Sequence, residues 1–457
     1  MDMERGLGFA SPNADLVGEA SPTGAYPVDT TGLVRNLVGE FQRDRTPIPV
    51  SFRALVPWMK VGERATHYLH SYPAKLLPHI AHFFLASRDM CSPNGIVLDP
   101  FSGSGTVALE TCLSGRSALF ADTNPLARLI TLAKHSVLSA PTLKSRFDRI
   151  EARYLRTRTR KHPAVVNINR WFQPSVIGAL SRLKAAIDEE SGADFTQFAL
   201  ATFSAVVRRV SNADPRLSVP VVLKGGVGPL DCRDVWQKFS DQYWANARRS
   251  EELNRLLPGG INLVSAGDDA RRLHVDSGGK LHSDSVDLVI TSPPYAGAQK
   301  YIRASSLSLG WLGLAEEGKL KPLENATIGR EHLPGLSGVN LVTSVPAANE
   351  VISAIREVNP LRAAICATYL IEMEEVVREL FKVVRPDGKL VLVIGNNEVC
   401  GQQFMSSTYL CEIFEKIGFT LRLVLIDEIK SRGLMTKRNR AASVITREWV
   451  LLFEKQC

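Results

Sequence analysis

No stretch of this chain restricts the fold as tightly as GIVLDPFSGSGTVALETCLSG at residues 95–115. It begins with a short apolar run ending at Asp99, which reads as a buried strand, and it ends in helical spacing closed by Gly115. Between them, Gly103 and Gly105 make a turn where the backbone can approach a ligand and present amides at a helix N-terminus. A second apolar run, SALFADTNP at 117–125, carries Asp122 at its end. Strand, turn, helix and strand in this order form a βαβ unit. Such units build a doubly wound, mainly parallel α/β sheet with right-handed crossovers. Further strand-like runs at 261–269, 285–295, 389–397, 420–429 and 443–455 complete the sheet, and a helix is predicted over 369–384.

Residues 135–258 break that alternation. Segments 171–190 and 195–215 carry the period of amphipathic helices and no buried strand recurs, so a mostly helical insertion divides the sheet. Residues 1–45, rich in Gly, Ser, Pro, Asp and Thr, read as a flexible N-terminal arm. The expected organisation is an arm at 1–45, a first part of the sheet domain at 46–134, the insertion at 135–258 and a second part of the sheet domain at 259–457.

No apolar run approaches the ~20 residues of a membrane span, and the N-terminus lacks the apolar core of a secretory signal. None of the seven cysteines forms a CxxC pair or a metal-ligand cluster. These features predict a cytoplasmic protein with no membrane attachment and no metal. The net charge of +8 favours a polyanionic partner without requiring one.

The glycine turn lacks the Lys-Ser/Thr ending of a phosphate-gripping loop. Asp122, at the end of the next strand, suits the two ribose hydroxyls of an adenosine, although a plain tight turn and a helix cap would explain the same residues. Downstream, VDLVITSPPY at 286–295 is a strand running into a loop stiffened by two prolines. Such a loop can aim the Ser292 hydroxyl and a proline-restrained carbonyl at one amino group while the Tyr295 ring stacks on a flipped base. An exocyclic amine is a poor nucleophile because its lone pair is delocalised into the ring, and acceptors for both its protons favour a more tetrahedral nitrogen. No cysteine nucleophile is needed, and none lies in the loop.

Together, DPFSGSGT at 99–106, ADTNP at 121–125, GDDAR at 267–271 and TSPPY at 291–295 resemble motifs I, II, III and IV of the S-adenosylmethionine-dependent amino-methyltransferases acting on DNA. HYLHSYPAKLLP at 67–78 resembles their motif X, and the likeness spans roughly residues 65–130 and 262–455. It implies a seven-stranded Rossmann-like methyltransferase sheet, S-adenosyl-L-methionine as cofactor, DNA as partner and base flipping in a bacterial or archaeal cell. By this resemblance Tyr72, Lys75, Asp99, Phe101, Gly103, Ser104, Gly105, Thr106, Asp122 and Asn124 would bind the cofactor. Asp269 would meet its adenine, with the neighbouring Asp268 not separable from it, and Ser292, Pro293, Pro294 and Tyr295 would form the catalytic target-base site. In that family a serine at the first position of motif IV most often accompanies cytosine N4, and aspartate or asparagine adenine N6. N4 of cytosine is thus the leading target and adenine N6 the alternative. RNA guanine-N2 enzymes use a related loop but resemble Asn- or Asp-PPY more than TSPPY. Motif I precedes motif IV here, a circular permutation relative to many members, and the insertion could serve target recognition or act as a lid. No nuclease motif is present, so any restriction endonuclease or defence partner would be a separate chain.

Several segments are candidates for nucleic-acid contact. RFDRIEARYLRTRTRK at 146–161 suits phosphates as well as it suits a solvated helix face. The segment 430–440 carries five positive charges, with Arg432, Lys437, Arg438 and Arg440 as a possible backbone clamp. Tyr301 and Arg303 follow the SPPY loop in a predicted helix whose Trp311 reads as core. Residues 316–346 could order on substrate binding, and Asn396 with Asn397 end a strand either at the ligand rim or in a turn.

Overall fold

The computed structural model describes residues 24–60, 64–73, 75–159, 163–257, 259–275, 279–297, 300–316, 319–333, 335, 339–428 and 446–456. Its apolar runs are buried as strands because helices cover both faces of the sheet they form. The strands are β1 (Ile48–Val50), β2 (Ile96–Asp99), β3 (Ser117–Phe120), β4 (Leu263–Ser265), β5 (Val286–Thr291), β6 (Val384–Ile394), β7 (Asn397–Val399), β8 (Gln402–Phe404), β9 (Phe419–Glu428) and β10 (Arg447–Lys455). Eight of them form one Rossmann-like sheet in the order β1-β9-β10-β6-β5-β2-β3-β4, and β7 pairs with β8 in a separate hairpin. Neighbours in the large sheet are parallel except where β10 runs antiparallel to β6 and β9. The chain builds outward from β2 through β3 to β4, then returns to lay β5 on the other side of β2. The order therefore reverses between β2 and β5, and the crevice above the carboxyl ends of those strands is where an open α/β sheet takes a ligand.

The sheet has one strand more than the seven expected. β1 is three residues with Pro49 at its centre, which signals no strand, and the proline is tolerated because β1 is an edge strand paired with β9 alone. The flexible arm is corrected over residues 24–45. Helix Thr31–Asp44 packs on β9 and buries Val34 and Phe41, while Tyr26 is 2% exposed. Leu33, Val34, Leu37, Val38 and Phe41 do carry helical spacing, but the polar composition before them conceals it. Residues 1–23 lie outside the described residues.

Between β3 and β4 the described residues are mostly helical, including Ala140–Arg156, Pro174–Asp188, Ala193–Val207 and Cys232–Leu256, with an irregular segment at 211–231. They enclose a core of their own with Phe147, Phe172, Phe198, Phe239 and Tyr243. Leu307 and Trp311 of helix Ser306–Leu312 join this core, so the insertion grips the segment that follows the SPPY loop. Gly310 allows that approach, since a Cβ there would lie 2.7 Å from Val165 Cγ2.

Candidate active site

Asp99 ends β2 and Thr291 ends β5, on neighbouring strands whose register sets Leu98 beside Val289. The Thr291 hydroxyl donates to Asp99 Oδ1 at 2.7 Å and the Phe101 amide to the same oxygen at 3.1 Å. Asp99, expected at the cofactor, is 4% exposed and acts as a strut between the two loops. Its burial pushes the carboxyl up to about 7. The chain then turns through Gly103 (φ +50°) and Gly105 (φ +71°), both in the left-handed region. A Cβ at Gly105 would lie 2.7 Å from Thr131 Oγ1, so this glycine also lets helices Thr106–Leu113 and Pro125–Lys134 approach. Ser104 and Thr106 are buried in the turn, and Phe101 is half-buried against the main core.

Asp122 faces this turn. Its Oδ2 accepts from the Gly103 amide at 2.8 Å and its Oδ1 from the Asn124 amide at 2.8 Å. An ionised carboxylate offers about four acceptor positions, so each oxygen keeps capacity for another donor. That capacity fits two vicinal hydroxyls of a ribose. Burial raises the Asp122 carboxyl to about 6. Asn124 donates from Nδ2 to the Tyr72 hydroxyl at 3.0 Å and to Ser305 Oγ at 3.1 Å. It thereby joins the loop that carries Tyr72 to the segment after the SPPY loop. The Tyr72 ring lies over the glycine turn, 3.6 Å from where a Gly103 Cβ would stand. Lys75 turns its ammonium onto the His70 carbonyl at 2.6 Å, and burial lowers it to about 8. Asp269 is taken by Arg271 through both oxygens, at 2.8 and 2.9 Å, and Arg271 also reaches Glu372 at 2.9 Å. Asp268 is exposed and makes no ion pair among the described residues, so it is the uncommitted carboxylate of the two.

The SPPY loop leaves β5 beside this turn. The Tyr295 hydroxyl donates to Glu448 Oε1 of β10 at 2.9 Å, and the Ser292 side chain reaches the same phenol. Burial, with Glu448 beside it, lifts the phenol well above its ordinary range, and burial also raises Glu448. Asn397 donates from Nδ2 to the Ala296 carbonyl at 3.0 Å, and Asn396 Oδ1 accepts from the Ser407 amide at 2.9 Å. These two asparagines therefore hold the loop and a helix start in place. Gly329 (φ +74°) covers the loop, where a Cβ would lie 3.0 Å from the Tyr295 carbonyl oxygen and 3.2 Å from Pro294 Cβ. Gly329→Ala should thus displace the loop and lower turnover by roughly tenfold or more, as loss of alignment does. Cofactor affinity, read by calorimetry on the same variant, should stay within about twofold.

Tyr301 opens the short helix Tyr301–Ala304 and lines, with Arg303 and Arg330, a shallow open pocket. Within the stretch 316–346, which was expected to order only with substrate, Arg330 is already tied to Glu372 at 2.8 Å. Arg432, Lys437, Arg438 and Arg440 lie outside the described residues. In the basic segment at 146–161, Arg146 and Arg149 meet the buried Glu190 at 2.6 and 2.9 Å, and Arg153 pairs with it too, so these three arginines share one carboxylate of the insertion. Thr291, Ser305, Gly329 and Glu448 were not singled out in the sequence. Thr291 adjoins the SPPY motif and could have been, whereas the other three come to the site only through tertiary packing. Among the described residues no group of His, Cys, Asp and Glu could hold a metal ion, and no helix is long and apolar enough to cross a membrane.

No protein-family model matches the chain. It is 24% identical over 375 residues to the type II methyltransferase M.MvaI of Kocuria varians, spanning 77% of this chain and 81% of that protein. It is 25% identical over 203 residues to the type II methyltransferase M.BsoBI of Geobacillus stearothermophilus, covering 38% of this chain and 40% of that protein. Among solved structures, the rRNA methyltransferase aviRa from Streptomyces viridochromogenes aligns over 88% of this chain and 96% of its own, at 12% identity and a TM-score of 0.34.

Proposed function

We propose that this chain is an S-adenosyl-L-methionine-dependent DNA methyltransferase that modifies the exocyclic amino group of a flipped base, N4 of cytosine. The observation that carries the reading is the meeting of the glycine turn, its Asp122 carboxylate and the SPPY loop at the ends of adjacent strands β2 and β5. The relationship to two type II methyltransferases, one along most of its length, supports DNA as the substrate. Ser292 at the head of the loop supports cytosine N4 through the family resemblance.

When bound, the cofactor supplies a sulfonium methyl group as electrophile. The chain's own part is to hold and orient. Asp122 takes the ribose hydroxyls, and Asp268 rather than Asp269, which Arg271 already occupies, accepts from the adenine amino group. The Ser292 hydroxyl and the Pro293 carbonyl accept the two amino protons of the target, which concentrates its lone pair on nitrogen. The Tyr295 ring, fixed through its hydroxyl by Glu448, supplies the face on which the base stacks.

The test is incorporation of labelled methyl from S-adenosylmethionine into unmethylated duplex DNA, followed by nucleoside analysis, with Ser292→Ala and Asp122→Ala beside the wild type. N4-methylcytosine that disappears in both variants is the expected result. N6-methyladenine would keep the mechanism and change the base, and label entering RNA alone would overturn the DNA assignment.

A further inference from the structure

Three segments meet beside the cofactor turn: the motif X loop, the short helix Arg208–Val210 that extends Ala193–Val207, and helix Cys232–Leu256. His70 Nε2 and Ser204 Oγ join the first two at 3.0 Å, and Gln242 Nε2 donates to the Leu69 carbonyl at 3.5 Å to bring in the third. This junction gathers cations. Arg209 and Arg248 are exposed, while Arg249 and Lys75 are half-buried. Arg249 donates to Asn246 Oδ1 at 3.0 Å and Lys75 to backbone carbonyls, and none of the four has an acidic partner among the described residues. Burial and then the charges of Arg248 and Arg209 lower Arg249, and burial and then Arg249 lower Lys75. Helix Cys232–Leu256 packs against both Ala193–Val207 and the short helix Arg208–Val210, so these like charges stand on touching elements and repel one another. Tyr68, 53% exposed, holds its ring 5.8 Å from the Lys75 ammonium at the same edge.

The contrast with the other arginine-rich part of the insertion is chemical. Arg146, Arg149 and Arg153 share the carboxylate of Glu190, whereas no carboxylate pairs with the junction's cations among the described residues. A row of phosphates relieves such repulsion and releases its own condensed counterions. We propose that Arg209, Arg248 and Arg249, with the Tyr68 ring at their edge, hold the phosphate backbone of duplex DNA while its target base enters the SPPY loop. This surface rests on the DNA reading above and gives the helical insertion a share in substrate binding.

The experiment is anisotropy of a short labelled duplex titrated with the full-length protein over a series of salt concentrations, for wild type and for Arg209→Gln/Arg248→Gln. Both substituted side chains are exposed and outside the cofactor and SPPY sites. Each phosphate contact contributes a slope of roughly 0.9 in log affinity against log salt, so the double variant should lose about 2 from the slope and about tenfold or more in affinity. Its affinity for S-adenosylmethionine should match the wild type. Lys184→Gln, whose charge is paired with Asp188 at 2.6 Å, should leave the slope unchanged. An unaltered slope in the double variant, or an equal loss in Lys184→Gln, overturns the surface while the wild type still binds DNA. Absence of salt-dependent duplex binding by the wild type, or preference for RNA, overturns the DNA reading with it.

Discussion

Glu110→Ala is expected to destabilise the protein by about 3–5 kcal/mol, the range for breaking a buried ion pair by removing one partner. The carboxylate stands on the helix of the glycine turn with no exposed surface. Arg64 grips it through Nε and Nη2 at 2.7 and 2.8 Å, His67 Nε2 lies 2.7 Å away, and the Tyr26 hydroxyl donates at 2.8 Å. Burial by itself would raise this carboxyl, but Arg64 and the hydrogen bonds from Arg64, His67 and His82 hold it well below its ordinary range. Alanine would leave the Arg64 guanidinium desolvated and unpaired, and would untie residues 25–26 and the motif X segment from the glycine-turn helix. Urea unfolding reads the loss. Arg64→Met/Glu110→Met should recover much of it, because two well-packed apolar side chains leave no buried charge behind. If the double variant is as unstable as the sum of the single ones, the network stabilises by packing and not by charge.

The same region sets a pH dependence. His67, His79 and His135 are lowered to about 4 and His70 to about 3, in each case chiefly by burial. A histidine whose folded value lies below its unfolded 6.5 binds protons more readily when unfolded, so stability falls as pH drops from about 6.5 toward about 4. Unfolding midpoints measured at steps across that window should decline steadily. A flat profile would mean that these rings are hydrated in solution.

What the sequence made legible was local. A run such as IVLD followed by glycines at 103 and 105 specifies a strand and a left-handed turn without tertiary help, and SPPY stiffens its own backbone. The pairing of Asp99 with Thr291 was hidden because it depends on β2 and β5 being neighbours, although 192 positions separate the two residues. Glu448 and Gly329 come to the loop the same way. Charge was legible only as composition: that the arginines at 146–153 share Glu190, and that Arg209 and Arg248 both come to the side of Arg249, follows from helix packing and not from spacing in the chain. Asp268 and Asp269 are alike in the chain and differ only in three dimensions, where Arg271 holds the second and the first is exposed.

Removing the Asp122 carboxylate should lower affinity for S-adenosylmethionine by about 3 kcal/mol or more, roughly 100-fold, because two hydrogen bonds to a charged acceptor are lost. Asp122→Ala also orphans the Gly103 and Asn124 amides, so part of its effect is collapse of the turn. Asp122→Asn separates the two contributions, since an amide oxygen still accepts while the charge is gone, and it should cost about tenfold. With the wild-type carboxyl raised to about 6, protonation at lower pH removes an acceptor. Affinity by calorimetry should then fall about tenfold from pH 7 to pH 5 in the wild type and stay nearly level in Asp122→Asn. The stability effect has the opposite sign. A carboxyl raised from 3.8 to about 6 on folding binds its proton more tightly in the folded chain, so the free protein gains stability from this group as pH falls through that interval. Asp122 therefore offsets part of the decline set by the buried histidines, and that decline should be steeper in Asp122→Asn than in the wild type. If Asp122→Asn binds like the wild type at both pH values, Asp122 is a strut like Asp99 and the ribose is held elsewhere.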